Sequence, residues 1–512
     1  MSSTNQQPDE SPIRNVILIL CDTLTRDKLS PYHKGEGPYG HIQTPNLDRL
    51  AARGVTFTNH WINSAPCMPA RRDLCSGRIE FPWRSWGPRE SFDPDWALEL
   101  RNTEVSTCLF TDHANLFDVG AGNYHHWYDH YEFVRGHYND HCATVPPVAP
   151  GRPGHPRRIY EEAYASVDAE EKTFVARNLG NVAHWLDEHG DSASPFFLMV
   201  DEFDPHWPLD PPEPYRSQYL ADKRLAEKDL DTFFKSARAE DHTDEDLEWL
   251  NAQCAGKITL VDRWLGEVLD RMDRHGLWEN TLFLLTSDHG EFIGEYDQMS
   301  KGGGFSYPLF SRIPLLASIP CPEKGGREIS ALTSTVDLHA TVLEALGREA
   351  GAHTHSRSLL PLLRGDAEAV RDSVIYGWWG KGFYWTDGER LLCKAPEKPG
   401  PLYQYGTDLG EKYTGLKGAS FDRYAGAESG VFLPHTDRPV YRVPSDGMAY
   451  GGNEADFDAL FDLRDDPACR NNLFDPSGEK TRAALAELVG AMKAHSVPKE
   501  HFKRLGLTDG LE

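Results

Sequence analysis

The sequence lacks the features of a disulfide-stabilised, membrane-spanning or nucleic-acid-binding protein. Its nine cysteines are scattered and form no CxxC pair, which favours reduced thiols over a disulfide framework. No apolar run approaches the ~20 residues that a membrane-spanning helix needs. The formal net charge of −26 opposes binding to nucleic acid. An anionic small-molecule substrate would meet the same repulsion unless cations are clustered locally.

The N-terminal stretch also lacks the pattern of a secretory leader. No basic segment precedes the short apolar run "VILIL", and Cys21 and Asp22 follow that run directly. We interpret the run as a buried strand and expect a cytoplasmic protein with no membrane partner. The sequence is compatible with a homo-oligomer but does not specify one.

What is present is the pattern of a large α/β protein. The length of 512 residues allows a large core, and short apolar runs that predict strands alternate with helical patterns. The clearest helix has apolar residues at steps of three or four from Leu247 to Met272, and His275 and Gly276 end it. This alternation predicts a mainly parallel sheet flanked by helices, with ligands at the carboxyl ends of the strands. The predicted central strands are Val16–Cys21, Val105–Phe110, Phe196–Val200 and Thr281–Thr286.

The C-terminal part of the chain differs in composition and in its pattern of apolar residues. After Gly365 aromatic residues, glycine and proline become dense, and helical periodicity returns only at Lys480–His495. We therefore predict a large domain over residues 1–370 and a smaller α+β region over residues 371–512 that packs on it. The charge-rich segment Asp222–Glu248 is predicted to be a solvated face or an insertion.

Polar side chains follow two of the predicted strands directly. Asp22 comes after the first strand, and Asp288 and His289 follow the strand that ends at Thr286. Because the carboxyl ends of parallel strands meet in one crevice, two carboxylates and an imidazole could form part of a divalent-metal shell. Taken separately, Asp22 could instead cap a turn, and "SDHG" could be an ordinary exit from a strand.

A cysteine in a rare context is the third element of the pattern. Cys67, Pro69 and Arg71 form C-x-P-x-R, a motif for which this composition predicts fewer than about 0.07 chance matches. Pro69 suits the first turn of a helix, so Cys67 would lie at a helix N-terminus, where anions are stabilised. The alternative is a buried structural thiol, which is what we expect for Cys75 and Cys108.

Further blocks accompany these motifs and complete a resemblance. In chain order they read "NVILILCDTLTRDKLSPY", "TPNLDRLAARGVTFTNHW", "CMPARRDLCSGR", "DPHWPLDPP", "TSDHGEFIGEYDQMSKGG", "RIPLL", "TVDLHATVLEALG", "RSLLPLLRG" and "LFDLRDDPACRNNL". Together they resemble the formylglycine sulfatases of the alkaline phosphatase superfamily, which include arylsulfatases, carbohydrate sulfatases and phosphonate monoester hydrolases. The resemblance implies an alkaline-phosphatase-like catalytic domain over residues 1–370 and metal-dependent hydrolysis of sulfate monoesters.

The resemblance also implies a role for the motif cysteine. In this family a maturation enzyme reads C-x-P-x-R and oxidises the cysteine to formylglycine, whose aldehyde hydrates to a geminal diol. One hydroxyl attacks sulfur or phosphorus, and the second then loses its proton while the anion is expelled. Formylglycine at position 67 would therefore turn over a covalent ester that a serine, with no second hydroxyl, could not eliminate in this way.

Individual site residues follow from the same resemblance. Asp22, Asp288, His289 and the formylglycine derived from Cys67 match the ligands of one divalent metal ion, either Mn²⁺ or Ca²⁺.

Three basic residues match the residues that act on a small anionic ester substrate. Arg71 would fix the diol and counter its charge, Lys301 would contact the oxygens of the anion, and His206 would lie near the leaving oxygen. Without the resemblance, His206 would be interpreted as a packed loop histidine and Lys301 as a solvated surface lysine.

Two departures from the family pattern bear on metal and substrate. Many members carry two acidic residues after the first strand, whereas this chain has Asp22-Thr23, which weakens the case for Ca²⁺ and favours Mn²⁺. Many sulfatases have G-K-x-H after the next strand, whereas this chain has "LFTDHANLF", so Asp112 and His113 are pocket candidates with no assigned role. Phosphonate monoester hydrolases also lack the paired acids, so a phosphonate monoester or phosphodiester hydrolase with sulfatase activity stays an alternative.

Two rival functions are weaker. A non-catalytic binder of sulfated ligands would be expected to lose the nucleophile, Arg71 or Lys301, and all three are present. A phosphoryl mutase or transferase would carry serine or threonine where this chain has Cys67. The natural ester is not specified, because the aromatic and histidine-rich segment Phe117–Asp140 could stack on a sugar, stack on an aryl ring or pack on itself.

Overall fold

A computed structural model of the chain shows an α/β fold with an additional C-terminal sheet region. No helix in the described part is both long enough and apolar enough to traverse a lipid bilayer. The eight cysteines that the structure describes are all free thiols. The structure describes residues 13–117, 122–138, 140, 160, 164, 167, 169–227, 234, 236, 238–302, 304–321, 325–398, 400–409, 424, 426–445 and 456–507.

The strands and helices of the described residues are as follows. The strands are β1 (Asn15–Cys21), β2 (Val55–Phe57), β3 (His60–Trp61), β4 (Ser64–Ala65), β5 (Ser106–Thr111), β6 (His130–Phe133), β7 (Phe196–Glu202), β8 (Thr281–Ser287), β9 (Phe292–Ile293), β10 (Met299–Ser300), β11 (Leu315–Ser318), β12 (Arg327–Ile329), β13 (Thr333–Ser334), β14 (Val374–Trp378), β15 (Phe383–Thr386), β16 (Arg390–Lys394), β17 (Tyr403–Gly406), β18 (Glu428–Gly430), β19 (Val440–Pro444) and β20 (Ala459–Asp462). The helices are α1 (Ser30–His33), α2 (Pro45–Arg53), α3 (Cys67–Ser76), α4 (Trp96–Leu100), α5 (Phe174–His189), α6 (Tyr215–Gln218), α7 (Asp244–Arg274), α8 (Pro308–Ser311), α9 (Asp337–Ala345), α10 (Leu360–Arg364), α11 (Glu479–Ala494) and α12 (Lys499–Arg504).

The large sheet has the mainly parallel order that the sequence predicts. Its strands run β12-β2-β11-β8-β1-β7-β5-β6, and within this described sheet β11 pairs antiparallel with both of its neighbours. β1 lies between β8 and β7 and is parallel to both. The predicted strands are therefore confirmed, with ends that differ by one or two residues. The carboxyl ends of β1, β7 and β8 lie side by side, which brings the residues after these strands together.

Both faces of this sheet are covered, which explains the continuous apolar run of β1. Ile17 and Ile19 pack into one core with α2, α5 and α7, whereas Val16 and Leu18 pack into a second core with α3, α4, α9 and α10. Side chains of successive strand residues point to opposite faces, so a strand buried on both sides needs apolar residues throughout. Each fully buried aliphatic side chain contributes about 1.5–3 kcal/mol of hydrophobic stabilisation.

The longest predicted helix is confirmed as α7. It begins at Asp244 because Thr243 and Asp246 form a capping box, in which each side chain accepts a hydrogen bond from the backbone N–H of the other. Gly276 follows the helix with φ +60°, a left-handed conformation that suits glycine. The segment Asp222–Glu248 thus ends inside α7, and it also contains residues outside the described part.

The C-terminal region is tied to the rest of the chain by a shared sheet. Its five strands run β20-β16-β15-β14-β4, and β4 comes from the residues just before Cys67. Within it, Gly377 and Trp378 pair in parallel with Ser64 and Ala65. The predicted C-terminal helix is confirmed as α11, which packs on this sheet. The division at residue 370 stays a prediction, and the shared sheet fixes the start of α3 from the C-terminal side.

Candidate active site

Four buried side chains converge at the carboxyl edge of the large sheet. Asp22 follows β1, Asp288 and His289 follow the adjacent strand β8, and Cys67 is the first residue of α3. One ligand atom from each of these residues lies within 4.8 Å of the others. The Cys67 Sγ is 3.4 Å from Nε2 of His289 and 3.9 Å from Oδ1 of Asp22. The structure therefore brings together all four residues that the sequence suggests as metal ligands.

The tautomer of His289 is suited to metal binding. Its Nδ1 lies 2.8 Å from the carbonyl oxygen of Gly290, which can only accept a hydrogen bond, so Nδ1 carries the proton. Burial lowers the pKa of His289 to about 4, so the ring is neutral near pH 7. Nε2 therefore presents a lone pair toward Cys67. Orientation of a ligand histidine through its other nitrogen is typical of metal sites.

The two carboxylates oppose one another electrostatically. Burial and the charge of Asp288 raise the pKa of Asp22 well above its usual range. Burial alone would also raise the pKa of Asp288, but His289 and Arg71 hold it well below that range. Oδ2 of Asp22 is buried, and its ion-pair partner among the described residues is Nη1 of Arg71, at 3.1 Å. Two carboxylates, an imidazole lone pair and residue 67 form a donor set that fits one divalent cation, which would relieve this repulsion.

Thr23 supports the site through its backbone. Its φ of +60° is in the left-handed region, which is unusual for a β-branched residue. This conformation lets the Thr23 N–H donate to Oδ1 of Asp288 at 3.0 Å, while the N–H of His289 donates to the same oxygen at 2.8 Å. The Thr23 hydroxyl is buried and has no hydrogen-bond partner among the described residues. β1 thus supplies one acidic ligand candidate.

The Cys67 side chain is not an activated thiolate. Burial raises the pKa of this thiol well above its ordinary value, and the charge of Asp22 acts in the same direction. The residue is 3% exposed. A reactive thiolate needs a pKa lowered by nearby cations and some access to solvent, so thiolate chemistry at this position is disfavoured.

Arg71 lies between three carboxylates. Its Nη1 is 2.6 Å from Oδ2 of Asp288 and 3.1 Å from Oδ2 of Asp22. Its Nε and Nη2 donate to the two oxygens of Asp201 at 2.7 and 2.6 Å, a bidentate pair. Nη1 also donates to the Cys67 carbonyl, since the two residues are one helical turn apart on α3. This arrangement fixes the guanidinium beside the candidate nucleophile.

Asp201 is a site residue that the sequence reasoning missed. It is buried at the carboxyl end of β7, and it holds Arg71 in the bidentate geometry. The predicted strand stopped at Val200, whereas β7 continues through Glu202. The acidic residues in "VDEFDPH" follow a buried apolar run as Asp22 does, and that pattern was the available signal.

His206 and Lys301 form a contact pair in the interior of the protein. Nζ of Lys301 is 2.6 Å from Nε2 of His206, whose Nδ1 donates to the carbonyl oxygen of Trp207 at 2.6 Å. Burial, reinforced by the charge of Lys301, lowers the pKa of His206 well below its usual value. His206 is therefore neutral and accepts from the lysine. The alternative of Lys301 as a solvated surface residue is wrong, because the side chain is 5% exposed.

Asp112 and His113 follow β5 and contact residues at the end of the neighbouring strand β7. Asp112 accepts from the N–H of Phe203 at 2.8 Å and lies 2.7 Å from Nδ1 of His137. His113 packs on the ring of Phe203, and its Nδ1 is 3.7 Å from Asp201. Both side chains are buried, so they support the strand ends and the residue that holds Arg71.

Part of the aromatic segment Phe117–Asp140 lies outside the described residues. Its described residues make two separate sets of ring contacts. Phe117 packs on His125 and on Phe133, so this portion packs on itself. Tyr138 lies farther along and contacts the ring of Trp207 with centroids 4.8 Å apart. The end of the segment therefore reaches the neighbourhood of His206.

A mainly parallel sheet with this cluster at its carboxyl edge defines a hydrolase of the alkaline phosphatase superfamily. The chain belongs to the sulfatase family, because the family model described as Sulfatase matches residues 14–348. It is accordingly an enzyme of the sulfuric ester hydrolase class.

Individual relatives agree with this assignment. The chain is 28% identical over 408 residues to the multifunctional alkaline phosphatase superfamily protein PehA of Trinickia caryophylli, covering 68% of this chain and 77% of that protein. It is 24% identical over 374 residues to an arylsulfatase of Clostridium perfringens, covering 64% of this chain and 74% of the relative.

Solved structures share the fold. A phosphonate monoester hydrolase from Silicibacter pomeroyi superposes with a TM-score of 0.62 at 20% identity, covering 94% of each chain. A protein from Bacteroides fragilis described as a sulfatase gives a TM-score of 0.64 at 17% identity, covering 97% of this chain and 98% of its own.

The Asp201→Asn substitution should lower catalytic efficiency without removing the metal. It breaks the bidentate pair that orients Arg71, so we expect kcat/KM on an aryl sulfate to fall by about tenfold or more, roughly 1.4 kcal/mol of transition-state stabilisation. Metal content should be unchanged, because Asp201 is not one of the four converging residues. The Asp270→Asn substitution in the exposed pair with Arg49 is the control. Unchanged kcat/KM in Asp201→Asn would contradict this role.

Proposed function

We propose that this enzyme hydrolyses sulfate monoesters with a formylglycine made from Cys67 and one divalent cation. The cation would be held by Asp22, Asp288, His289 and the modified residue 67. The observation that carries the proposal is the convergence of these four ligand positions within 4.8 Å at the first residue of α3. The similarity to an arylsulfatase supports the substrate class.

The chemistry of the proposed groups explains why these neighbours are needed. Asp22, Asp288 and His289 would hold a divalent cation, which would supply Lewis acidity that lowers the pKa of a hydroxyl on residue 67. Arg71, already held by Asp201, counters the charge that develops beside that hydroxyl. The charge of Lys301 also acts on residue 67, because it lowers the pKa of the Cys67 thiol against the effect of burial. These cations offset the net charge of −26 where an anionic ester would bind.

We propose that His206 and Lys301 act where the leaving group departs from the active site. Nε2 of the neutral His206 accepts a hydrogen bond from the ammonium group of Lys301, 2.6 Å away. Lys301 would pass this proton to Nε2, and the imidazolium would donate it to the leaving oxygen as the ester bond breaks, which leaves Lys301 neutral. General-acid assistance of this kind contributes about 10²–10⁴-fold to the rate.

A second candidate function is hydrolysis of phosphonate monoesters or phosphodiesters. The observation that favours it is that the carboxyl end of β1 offers one acidic ligand candidate, Asp22. A less anionic metal site is compatible with Mn²⁺, for which an imidazole ligand is suitable. The similarity to PehA, whose name describes it as multifunctional, agrees with activity on more than one ester.

The proposed conversion of Cys67 to formylglycine can be tested directly by mass spectrometry. Protein made with a formylglycine-generating enzyme should yield a peptide in which the CH₂–SH group of residue 67 is replaced by an aldehyde. Cys67→Ser should lose turnover while keeping the fold, because serine lacks the second hydroxyl needed for elimination. Because Cys67 is 3% exposed, we expect the maturation enzyme to modify the chain before it folds and not afterwards. Fully active protein that contains only unmodified cysteine would exclude the proposal.

Binding of the metal ion, and with it activity, should depend on the carboxylate of Asp288. Asp288→Asn is expected to lose bound metal and activity together, because the amide has no charge to balance the cation. Thr23→Val is the matched control, and its metal content should equal that of the wild type. After chelation, Mn²⁺ should restore activity at least as well as Ca²⁺, as measured by titration of the metal-free enzyme. Restoration by Ca²⁺ alone would refute the argument from the ligand set.

The substrate class can be tested with matched leaving groups. Sulfate monoesters and phosphonate monoesters are both monoanions, so charge alone does not separate them and we expect activity on both. We predict a higher kcat/KM for an aryl sulfate than for the aryl phenylphosphonate with the same phenol. A preference of more than about tenfold for the phosphonate, roughly 1.4 kcal/mol, would instead support the second candidate.

A further inference from the structure

A buried lysine on α7 holds the backbone around His206. Lys257 lies in the interior of α7 and is 3% exposed. Its Nζ donates to the carbonyl oxygens of His206 at 3.0 Å and Pro208 at 2.9 Å. The same nitrogen lies 2.5 Å from Oδ1 of Asp204. The three N–H groups of the ammonium therefore face three oxygens of one short segment.

This arrangement keeps the lysine charged. Burial opposes the charged form, but Asp204 and Asp210 together raise the pKa of Lys257 above its ordinary value. An ammonium without partners in the interior would be strongly disfavoured, so these partners are required for its presence there. Because a charge-assisted hydrogen bond is stronger than a neutral one, the two carbonyl oxygens are held firmly.

The segment that Lys257 contacts lies outside the helices and strands. Residues 203–210 follow β7 as turns and irregular backbone. The N–H of His206 donates to the carbonyl of Phe203, and the imidazole packs between Phe203 and Trp207, with ring centroids 4.3 and 5.1 Å away. These contacts orient the ring within the segment. The contact that ties the His206 carbonyl to a long, packed helix is the one made by Lys257.

We propose that Lys257 is a positioning residue that fixes the position of His206 relative to Lys301 and the leaving oxygen. The proposal rests on the proposed function, in which His206 assists departure of the leaving group. Lys257 acts through the backbone and does not touch the metal-ligand candidates in any recorded contact. Its loss should therefore affect the leaving-group side of the reaction more than binding of the anion.

A series of leaving groups separates positioning from general support of the fold. A proton donor matters most when the departing phenol is a poor leaving group, and little when it is a good one. Misplacement of His206 should therefore steepen the dependence of kcat/KM on the pKa of the phenol. Loss of active protein would lower kcat/KM by the same factor for every ester.

The experiment measures kcat/KM of Lys257→Met and wild type on aryl sulfates with phenols of graded pKa. We expect a loss of about tenfold or more for the poorest leaving group and of less than about twofold for the best. Lys394→Met is the matched control, since Lys394 is a buried lysine in the C-terminal sheet that pairs with Asp458. It should leave the slope unchanged. An equal loss on all esters in Lys257→Met would overturn the proposal.

A double variant keeps the test decisive if the unpaired Asp204 prevents folding. Lys257→Met combined with Asp204→Asn removes both charges and still removes the hydrogen bonds to the two carbonyls. We expect the double variant to retain the steeper slope. Restoration of the wild-type slope would mean that charge balance, and not positioning, is what Lys257 provides.

His206→Asn distinguishes failure of this inference from failure of the proposed function. If His206→Asn shows the steep slope and the Lys257 variants do not, positioning by Lys257 is wrong. If His206→Asn itself keeps the wild-type slope, its proposed role in the reaction is wrong, and the inference about Lys257 falls with it.

Discussion

Repulsion between buried carboxylates is the constraint on which the site depends. Asp22, Asp201 and Asp288 lie at the ends of neighbouring strands, are almost inaccessible to solvent, and surround a single guanidinium. Leaving such charges unpaired costs several kcal/mol each, so Arg71 is required for the fold as well as for the proposed chemistry. A divalent cation would add the positive charge that one arginine does not supply. The same constraint explains why cations are concentrated here in a chain of net charge −26.

Two separate sets of strand pairings bring the carboxylates, Arg71 and Cys67 together. Parallel pairing of β1 with β7 and β8 places their carboxyl ends side by side. The C-terminal sheet then fixes the start of α3, because β4 pairs with β14 just before Cys67. The candidate nucleophile is therefore positioned by residues more than 300 positions away along the chain. This explains how a region with no residue in the metal-ligand group can still support catalysis.

The two sides of the site are built differently, and this bears on substrate choice. The metal-ligand candidates lie at the ends of β1 and β8 and at the N-terminus of α3. The proposed leaving-group side is formed by the irregular segment after β7, in which His206 packs on aromatic neighbours. Lys257 links this segment to α7. Discrimination among monoanionic esters would therefore depend on the second side, whereas the reaction type depends on the first.

The sequence alone determined the strands, the long helix, the metal-ligand candidates and the rare C-x-P-x-R motif, because each of these is a local pattern or an ordered set of motifs. It did not determine Asp201, since the apolar run predicted a strand that stops one residue earlier. It did not determine Lys257 either, although a lysine one residue before Ile258, on the apolar side of α7, was a signal. Only the tertiary structure decided which buried charges face one another, because those partners come from distant segments and their energies depend on burial and on distance.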